Sequence, residues 1–209
     1  MGGKRFALFP TTQGSRMSTS RSLALLAFVL LLHGCAVAPS VLSSSQQQSL
    51  HETPLFGETG SPRFIAYLAC VAEDHSCSTV NHTFAAWAED RGVDLHLVEA
   101  DDAVFKGAAA GAKAGTGQPF RLGFQINLLL VPSFFQFRGG MHAQGGYKPP
   151  RVGYTGTVFV YDASGKLLQA LPVHQEVTAK PDDPANGYIQ AEMKVLLSSV
   201  DPRYRNAGK

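Results

Sequence analysis

Periodic apolar positions begin near Arg63 and define the first half of a folded domain. RFIAYLACV is a short apolar run rich in strand-forming residues, and the polar EDHSCS that follows it indicates a turn. Between Thr79 and Arg91 the apolar positions recur on one helical face. The alternating VDLHLV at 93–98 predicts a second strand, and a weaker helical pattern continues to Lys113. This half therefore predicts the order β-α-β-α.

Long alternating stretches dominate the second half. In FRLGFQINLLLV at 120–131 every second residue is apolar, and Pro132 ends or bends the strand. GYTGTVFVYD at 153–162 and KLLQALPVHQEV at 166–177 predict two more strands, joined by a tight turn at Ala163-Ser164-Gly165. Three strands therefore follow the first half.

A final helix is predicted after Asp183 and Pro184, because these residue types commonly open helices. The element order is then β-α-β-α-β-β-β-α. We predict one small α/β or α+β domain over residues 62–202, in which helices pack on a mixed sheet. Residues 203–209 would form a short tail.

The residues before the domain carry the pattern of a secretory signal. The apolar run Ser22–Leu32 follows Arg21 and is too short to span a bilayer, which takes about 20 apolar residues. A basic flank, a short apolar core and a small residue at its end are typical of a cleaved signal peptide. A signal that starts at Met17 is more compact than one from Met1, which favours Met17 as the initiator.

The end of this signal, Leu32-His33-Gly34-Cys35, resembles the lipobox of bacterial lipoproteins. The resemblance implies cleavage after residue 34, lipidation of Cys35 and attachment to a membrane through its acyl chains. Ala36 follows the cysteine where inner-membrane lipoproteins often carry aspartate. The resemblance therefore implies the periplasmic face of the outer membrane in a Gram-negative bacterium. An ordinary signal peptide with an incidental cysteine is the alternative.

Removal of residues 1–34 would change the charge balance. The whole sequence has a formal net charge of +2. The removed part holds no acid and only the bases Lys4, Arg5, Arg16 and Arg21, so the mature chain would carry −2. Because the mature chain is not basic overall, both nucleic acid as a partner and polybasic docking on a membrane are disfavoured.

Residues 35–61 are rich in serine and glutamine, with SVLSSSQQQS at their centre. The segment lacks apolar periodicity, and segments of this composition bury too little surface to fold. We therefore predict a flexible tether between the lipidated cysteine and the domain.

The late hairpin DASGKLL, at 162–168, and the order of elements resemble small periplasmic α/β lipoproteins of the LpoB and CsgG type. The resemblance covers about residues 65–180 and assigns no functional residue. Those proteins are accessory or assembly factors rather than enzymes. It therefore implies an envelope protein that acts by binding.

Two cysteines, Cys70 and Cys77, remain once Cys35 is lipidated. An oxidising periplasm and an even pair favour a structural disulfide between them. The alternative is a metal site, because His75 and His82 interleave with the cysteines and the four side chains suit zinc or copper. That alternative predicts a metal-binding or hydrolytic enzyme centred on residues 70–82.

The connection from 133 to 150 is long and rich in aromatic side chains. Long connections in a compact domain are often functional, and aromatics with a nearby arginine are typical of binding interfaces. We predict that it contacts a partner through Phe134, Phe135, Phe137, Arg138, Met141 and Tyr147. The alternative is that Phe135 and Phe137 extend the preceding strand and face the core.

Other candidate motifs are weak. KGAAAGAKAGTG at 106–117 lacks the lysine and hydroxyl placement of a phosphate-binding loop. Its glycines at 107, 111 and 115 indicate either a helix that another helix can approach closely or a loosely packed helix. The sequence contains neither G-x-S-x-G nor H-E-x-x-H, and it suggests no cofactor.

Overall fold

A computed structural model describes residues 41–73, 77–106, 117–137 and 145–204. The described elements, in chain order, are α1 (Ser44–Glu52), β1 (Phe64–Val71), α2 (Cys77–Arg91), β2 (Asp94–Leu97), a 3-10 turn (Ala103–Lys106), β3 (Phe120–Val131), β4 (Phe134–Phe137), β5 (Gly145–Lys148), β6 (Arg151–Asp162), β7 (Leu167–Thr178) and α3 (Ala185–Val200).

The main sheet has five strands in the order β2-β1-β3-β6-β7. β1 runs parallel to both β2 and β3, whereas β6 runs antiparallel to β3 and β7. α2 connects the parallel strands β1 and β2, as a crossover requires. A single small α/β domain with three helices on a mixed sheet confirms the predicted fold class.

One face of the sheet forms the core together with the helices. Leu122, Phe124 and Ile126 alternate along β3 and are fully buried on this face. The Phe124 ring lies 5.0 Å from that of Phe84 and 6.0 Å from that of Trp87, in edge-to-face geometry. Both partners lie on α2, so aromatic packing joins this helix to the centre of the sheet.

The other face is more open. Gln125 and Thr155 are only partly buried there, and Asn127 is exposed. The connection after β2 crosses part of this face, where a side chain on Gly123 would collide with the ring of Phe105. Of the helix predicted to reach Lys113, the described residues contain only the 3-10 turn Ala103–Lys106, and the glycines at 107, 111 and 115 lie outside the described residues.

The prediction of a flexible tether up to residue 61 was wrong for its described part. Ser43 caps α1, because its hydroxyl accepts from the Gln46 N–H and the Gln46 side chain accepts from the Ser43 N–H. Leu42, Leu50 and Leu55 are buried in the domain core. The Val41 N–H also donates to Ser199 Oγ on α3 at 3.2 Å. Residue 41 therefore already belongs to the folded domain.

The predicted hairpin between β6 and β7 is confirmed. Asp162 Oδ1 accepts from the N–H groups of Ser164 and Lys166 and from the Ser164 hydroxyl. The Ser164 hydroxyl contributes most to holding the pKa of Asp162 below its usual range. Gly165 has a φ of 84°, a conformation that glycine adopts without strain.

None of the helices in the described ranges is long and apolar enough to cross a membrane.

Candidate functional site: an exposed aromatic arm

β4 and β5 prolong the β3–β6 hairpin as a separate two-stranded ribbon, which we call the arm. At the end of the main sheet Val131 pairs with Arg151. The arm resumes in the same register, with Phe134 opposite Lys148 and Phe135 opposite Tyr147. The arm is therefore the outer part of one long hairpin.

Prolines account for the break between the main sheet and the arm. The shared register places Pro132 opposite Pro150 in the interval between β3 and β4. Proline has no N–H to donate to a ladder, so regular pairing stops there. The five-stranded sheet thus ends at this interval, and the hairpin alone continues beyond it.

Aromatic side chains of the arm face solvent. Phe134 is 46 % exposed, Phe135 is 64 % exposed and Tyr147 is 46 % exposed. The Phe135 and Tyr147 rings contact each other across the strands, with centroids 5.5 Å apart. Because Phe134 and Phe135 are neighbours in one strand, their side chains point to opposite faces of the ribbon. Both faces therefore present an aromatic ring.

Two contacts hold the base of the arm, one to β7 and one to Ala179, the residue directly after β7. Arg151 Nη1 forms an ion pair with Glu176 Oε1 at 2.7 Å. The Ala179 N–H donates to the Pro150 carbonyl oxygen at 2.9 Å. These contacts fix the point at which the hairpin leaves the sheet.

The predicted partner-contact residues divide into three groups. Phe134, Phe135 and Tyr147 lie exposed on the arm, so the alternative in which Phe135 faces the core is wrong. The backbone of Phe137 pairs with Gly145. Arg138 and Met141 lie outside the described residues. A contact with a partner remains a prediction.

The stretch of sequence that includes the arm lacks acidic residues, a signal that the sequence predictions missed. No acidic residue occurs between Asp102 and Asp162, although the chain has 16 of them. The same interval contains the bases Lys106, Lys113, Arg121, Arg138, Lys148 and Arg151. Of these bases, only Lys148 and Arg151 are described near the arm; Arg121 pairs with Tyr161 at the other end of β3. The −2 charge of the mature chain conceals this local excess of positive charge. Counting charge per segment instead of per chain could have found it.

The predicted disulfide is confirmed. Cys70 at the end of β1 and Cys77 at the start of α2 are joined, with Cα atoms 5.7 Å apart. The bond closes the short connection between the two elements. Its position ties the first turn of α2 to the sheet.

The alternative of a metal site at residues 70–82 was wrong as to its cysteines, because the disulfide removes both thiolates. His75 lies outside the described residues. His82 lies on α2 and lines a polar groove against α3, beside Thr79 and Gln190. Within the described ranges, no three His, Cys, Asp or Glu side chains are grouped to hold a metal ion.

The groove between α2 and α3 is a second surface that the sequence did not indicate. Two adjoining cavities, of about 400 and 260 Å³, share His82, Thr83 and Gln190 in their walls. Their side chains come from two helices that are distant in sequence. Periodicity within either helix alone could not reveal this pairing.

Tyr154, Gln175 and Glu192 form a partly buried polar cluster between the sheet and α3. Tyr154 is fully buried, and its hydroxyl has no hydrogen-bond partner among the described residues. Burial, and secondarily the carboxylate of Glu192, raises the pKa of Tyr154. Burial also raises the pKa of Glu192, while a hydrogen bond from Gln175 opposes that shift.

Comparison with known proteins gives little. No family model and no curated protein sequence matches the chain. Among solved structures, the chain is similar to a neuraminyllactose-binding hemagglutinin homolog from Helicobacter pylori. The match has 8 % sequence identity and a TM-score of 0.30, over 72 % of this chain and 84 % of that chain. A likeness at this level carries no argument about function.

Proposed function

We propose that this protein is a lipid-anchored component of the bacterial cell envelope that acts by binding, as an accessory or assembly factor. Lipidation of Cys35 would attach it to the periplasmic face of the outer membrane. The disulfide between Cys70 and Cys77 supports an oxidising compartment, where such bonds persist. The arm is the proposed binding element.

The exposure of the arm's aromatic side chains carries this proposal. Large apolar side chains in one exposed patch commonly mark an interaction surface. Here Phe134, Phe135 and Tyr147 belong to one small ribbon that the contacts of Arg151 and Pro150 hold at its base. Because these contacts fix where the ribbon leaves the sheet, they reduce the conformational entropy that the ribbon loses when it binds.

The enzymatic alternative at residues 70–82 gains no support from the described geometry. It required Cys70 and Cys77 as thiolate ligands, and the two sulfurs are bonded to each other. Binding through the arm requires only side chains that are already exposed. We therefore propose the arm, rather than the 70–82 region, as the functional surface.

Site-specific photocrosslinking in cells would test the proposal. A photoreactive phenylalanine analogue at position 135 or 147 is expected to form adducts with another envelope component. The same analogue at Leu167, which is 46 % exposed at the opposite end of the sheet, serves as the matched control. Adducts that form equally at 135 and 167, or at neither position, would contradict binding through the arm.

Lipidation is tested separately. Metabolic labelling with a fatty acid is expected to label the wild-type protein and to leave Cys35→Ser unlabelled. Label that persists in Cys35→Ser, or that is absent from both proteins, would contradict the proposed anchor.

A further inference from the structure

We propose that the arm binds the surface of a lipid bilayer that contains anionic headgroups, with Phe134, Phe135 and Tyr147 entering the interfacial region. This inference rests on the proposed function, because it names the target of the same binding element. Three properties of the arm support this inference: the placement of its aromatic rings, its charge, and the backbone N–H and C=O groups along its outer edges.

The placement of the aromatic rings favours a lipid interface, rather than a rigid pocket of a folded protein, as the target of the arm. Phe134 shares a cross-strand pair with Lys148, whereas Phe135 pairs and makes ring contact with Tyr147. Aromatic rings therefore project from both faces of one narrow ribbon. A folded partner with a flat binding surface would cover one face and leave the other in water. A bilayer interface can surround both faces.

The charge selects an anionic surface. Lys148 is exposed on β5 and is the one charged residue of the two arm strands, while Arg151 at the base is already paired with Glu176. Lysine beside aromatic rings is typical of segments that lie in a membrane interface, where the rings meet acyl chains and the ammonium meets headgroup phosphates.

The backbone of the arm limits the depth of the contact. A two-stranded ribbon leaves N–H and C=O groups along both outer edges, and these groups need hydrogen-bonding partners that hydrocarbon lacks. Water and headgroups can supply such partners in the interfacial region. The arm therefore binds at the level of the headgroups and does not cross the bilayer. Isolated two-stranded ribbons are marginally stable in water, so we expect this contact to stabilise the arm.

The test uses the chain from residue 35 onward with Cys35→Ser, so that neither an acyl chain nor the basic, apolar segment 1–34 contributes to binding. Vesicles of phosphatidylcholine, with or without phosphatidylglycerol, are sedimented with the protein, and bound protein is measured. We expect binding to require phosphatidylglycerol and to weaken as salt is raised. In the same background, Phe134→Ser with Phe135→Ser is expected to weaken binding about tenfold or more. Lys148→Glu is expected to weaken binding to the anionic vesicles and to make the remaining binding less sensitive to salt.

The exposed pair Leu167 and Leu168, at the far end of the sheet, provides the control. Leu167→Ser with Leu168→Ser removes comparable exposed apolar surface and is expected to leave vesicle binding unchanged. Folding is monitored through Trp87, the chain's single tryptophan, which is fully buried. Its emission should be the same in every variant.

A tryptophan in the arm reports insertion directly. In Phe135→Trp, brominated lipids are expected to quench the fluorescence of the added tryptophan, because bromine quenches only nearby indoles. In the parent chain, the fluorescence of the buried Trp87 is expected to stay unquenched. Equal vesicle binding by the arm and control variants, or no quenching of Phe135→Trp, would overturn the lipid proposal. If crosslinks from position 135 capture a protein in cells while vesicles fail to bind, binding through the arm stands and only the lipid target is wrong.

Discussion

Asp201 and Trp87 form a buried hydrogen bond that joins the end of the domain to its centre. Asp201 Oδ2 accepts from Trp87 Nε1 at 3.3 Å. The same oxygen accepts from Arg91 Nε at 2.7 Å, and Arg91 lies one turn after Trp87 on α2. The Asp201 carboxylate is fully buried, so two donors from one helix compensate its charge.

Removing this carboxylate should destabilise the protein strongly. Asp201→Ala leaves the Trp87 N–H without its acceptor and Arg91 without its counter-charge. Loss of one partner from a buried ion pair typically costs about 3 kcal/mol or more. Urea unfolding followed by Trp87 fluorescence measures the loss. Asp101→Ala at an exposed position should change stability by less than about 0.5 kcal/mol.

Leu50 tests whether the serine- and glutamine-rich segment belongs to the domain. Its side chain on α1 is 5 % exposed within the core, so Leu50→Ala should lower the free energy of unfolding by about 2–5 kcal/mol. Gln48→Ala, at an exposed position of the same helix, is the matched control and should have little effect. Equal stability of the two variants would show that α1 is not packed on the core.

Reduction of the disulfide should weaken the fold without abolishing it. Cys70 and Cys77 are seven positions apart, and closing so short a loop contributes about 2.5 kcal/mol in the chain-entropy model. Thermal unfolding with and without reductant measures the difference. Reductant should have no effect on the variant that carries both Cys70→Ser and Cys77→Ser. A decrease of similar size in that variant would exclude the disulfide as the cause.

Glu192 should make stability depend on pH in a defined direction. Because its pKa is raised in the fold, the folded state holds this proton more tightly than the unfolded state. The contribution of Glu192 to the free energy of unfolding is then fully present below the ordinary carboxyl pKa. It is lost as the pH rises through the raised pKa. Glu192→Gln, which stays neutral, should raise the Tm at pH 7 and not in acid.

The size of this effect is limited because Glu192 is only partly buried and solvent screens its charge. We expect a rise in Tm of about 2 °C or less. Melting curves across a pH series measure it, with Glu99→Gln at an exposed position as the control. A rise for Glu192→Gln that persists unchanged at low pH would argue against a raised pKa.

Much of the sheet could be predicted because its strands carry their own pattern. The alternation of apolar residues along 120–131 and 153–162 matches β3 and β6 closely. The turn residues that end at Gly165 indicate where β6 stops and its hairpin partner β7 begins. Strand order could not be predicted in this way. The parallel pairing of β1 with β3 depends on contacts between segments far apart in the chain.

α1 was missed for a related reason. Its apolar positions are few, and only Leu50 within the helix is buried. The helix is stable because α3 and β7 lie beside it, where the Gln46 side chain donates to the Pro172 carbonyl oxygen and the Gln169 side chain donates to that of Ser49. Composition describes a segment in isolation, whereas these contacts come from residues more than a hundred positions away.

The early start of the folded domain also restricts its orientation. Cys35 precedes Val41 by six positions, and Val41 is already bonded to α3. Fully extended chain covers about 3.5 Å per residue, so a lipid on Cys35 would lie within about 20 Å of that point. A 12-residue strand such as β6 is about 40 Å long. With a connection shorter than its own body, an anchored domain would keep the Val41 end of α3 near its own bilayer. The arm leaves the sheet near the other end of α3, so it would meet the same bilayer only if the domain lay along the membrane.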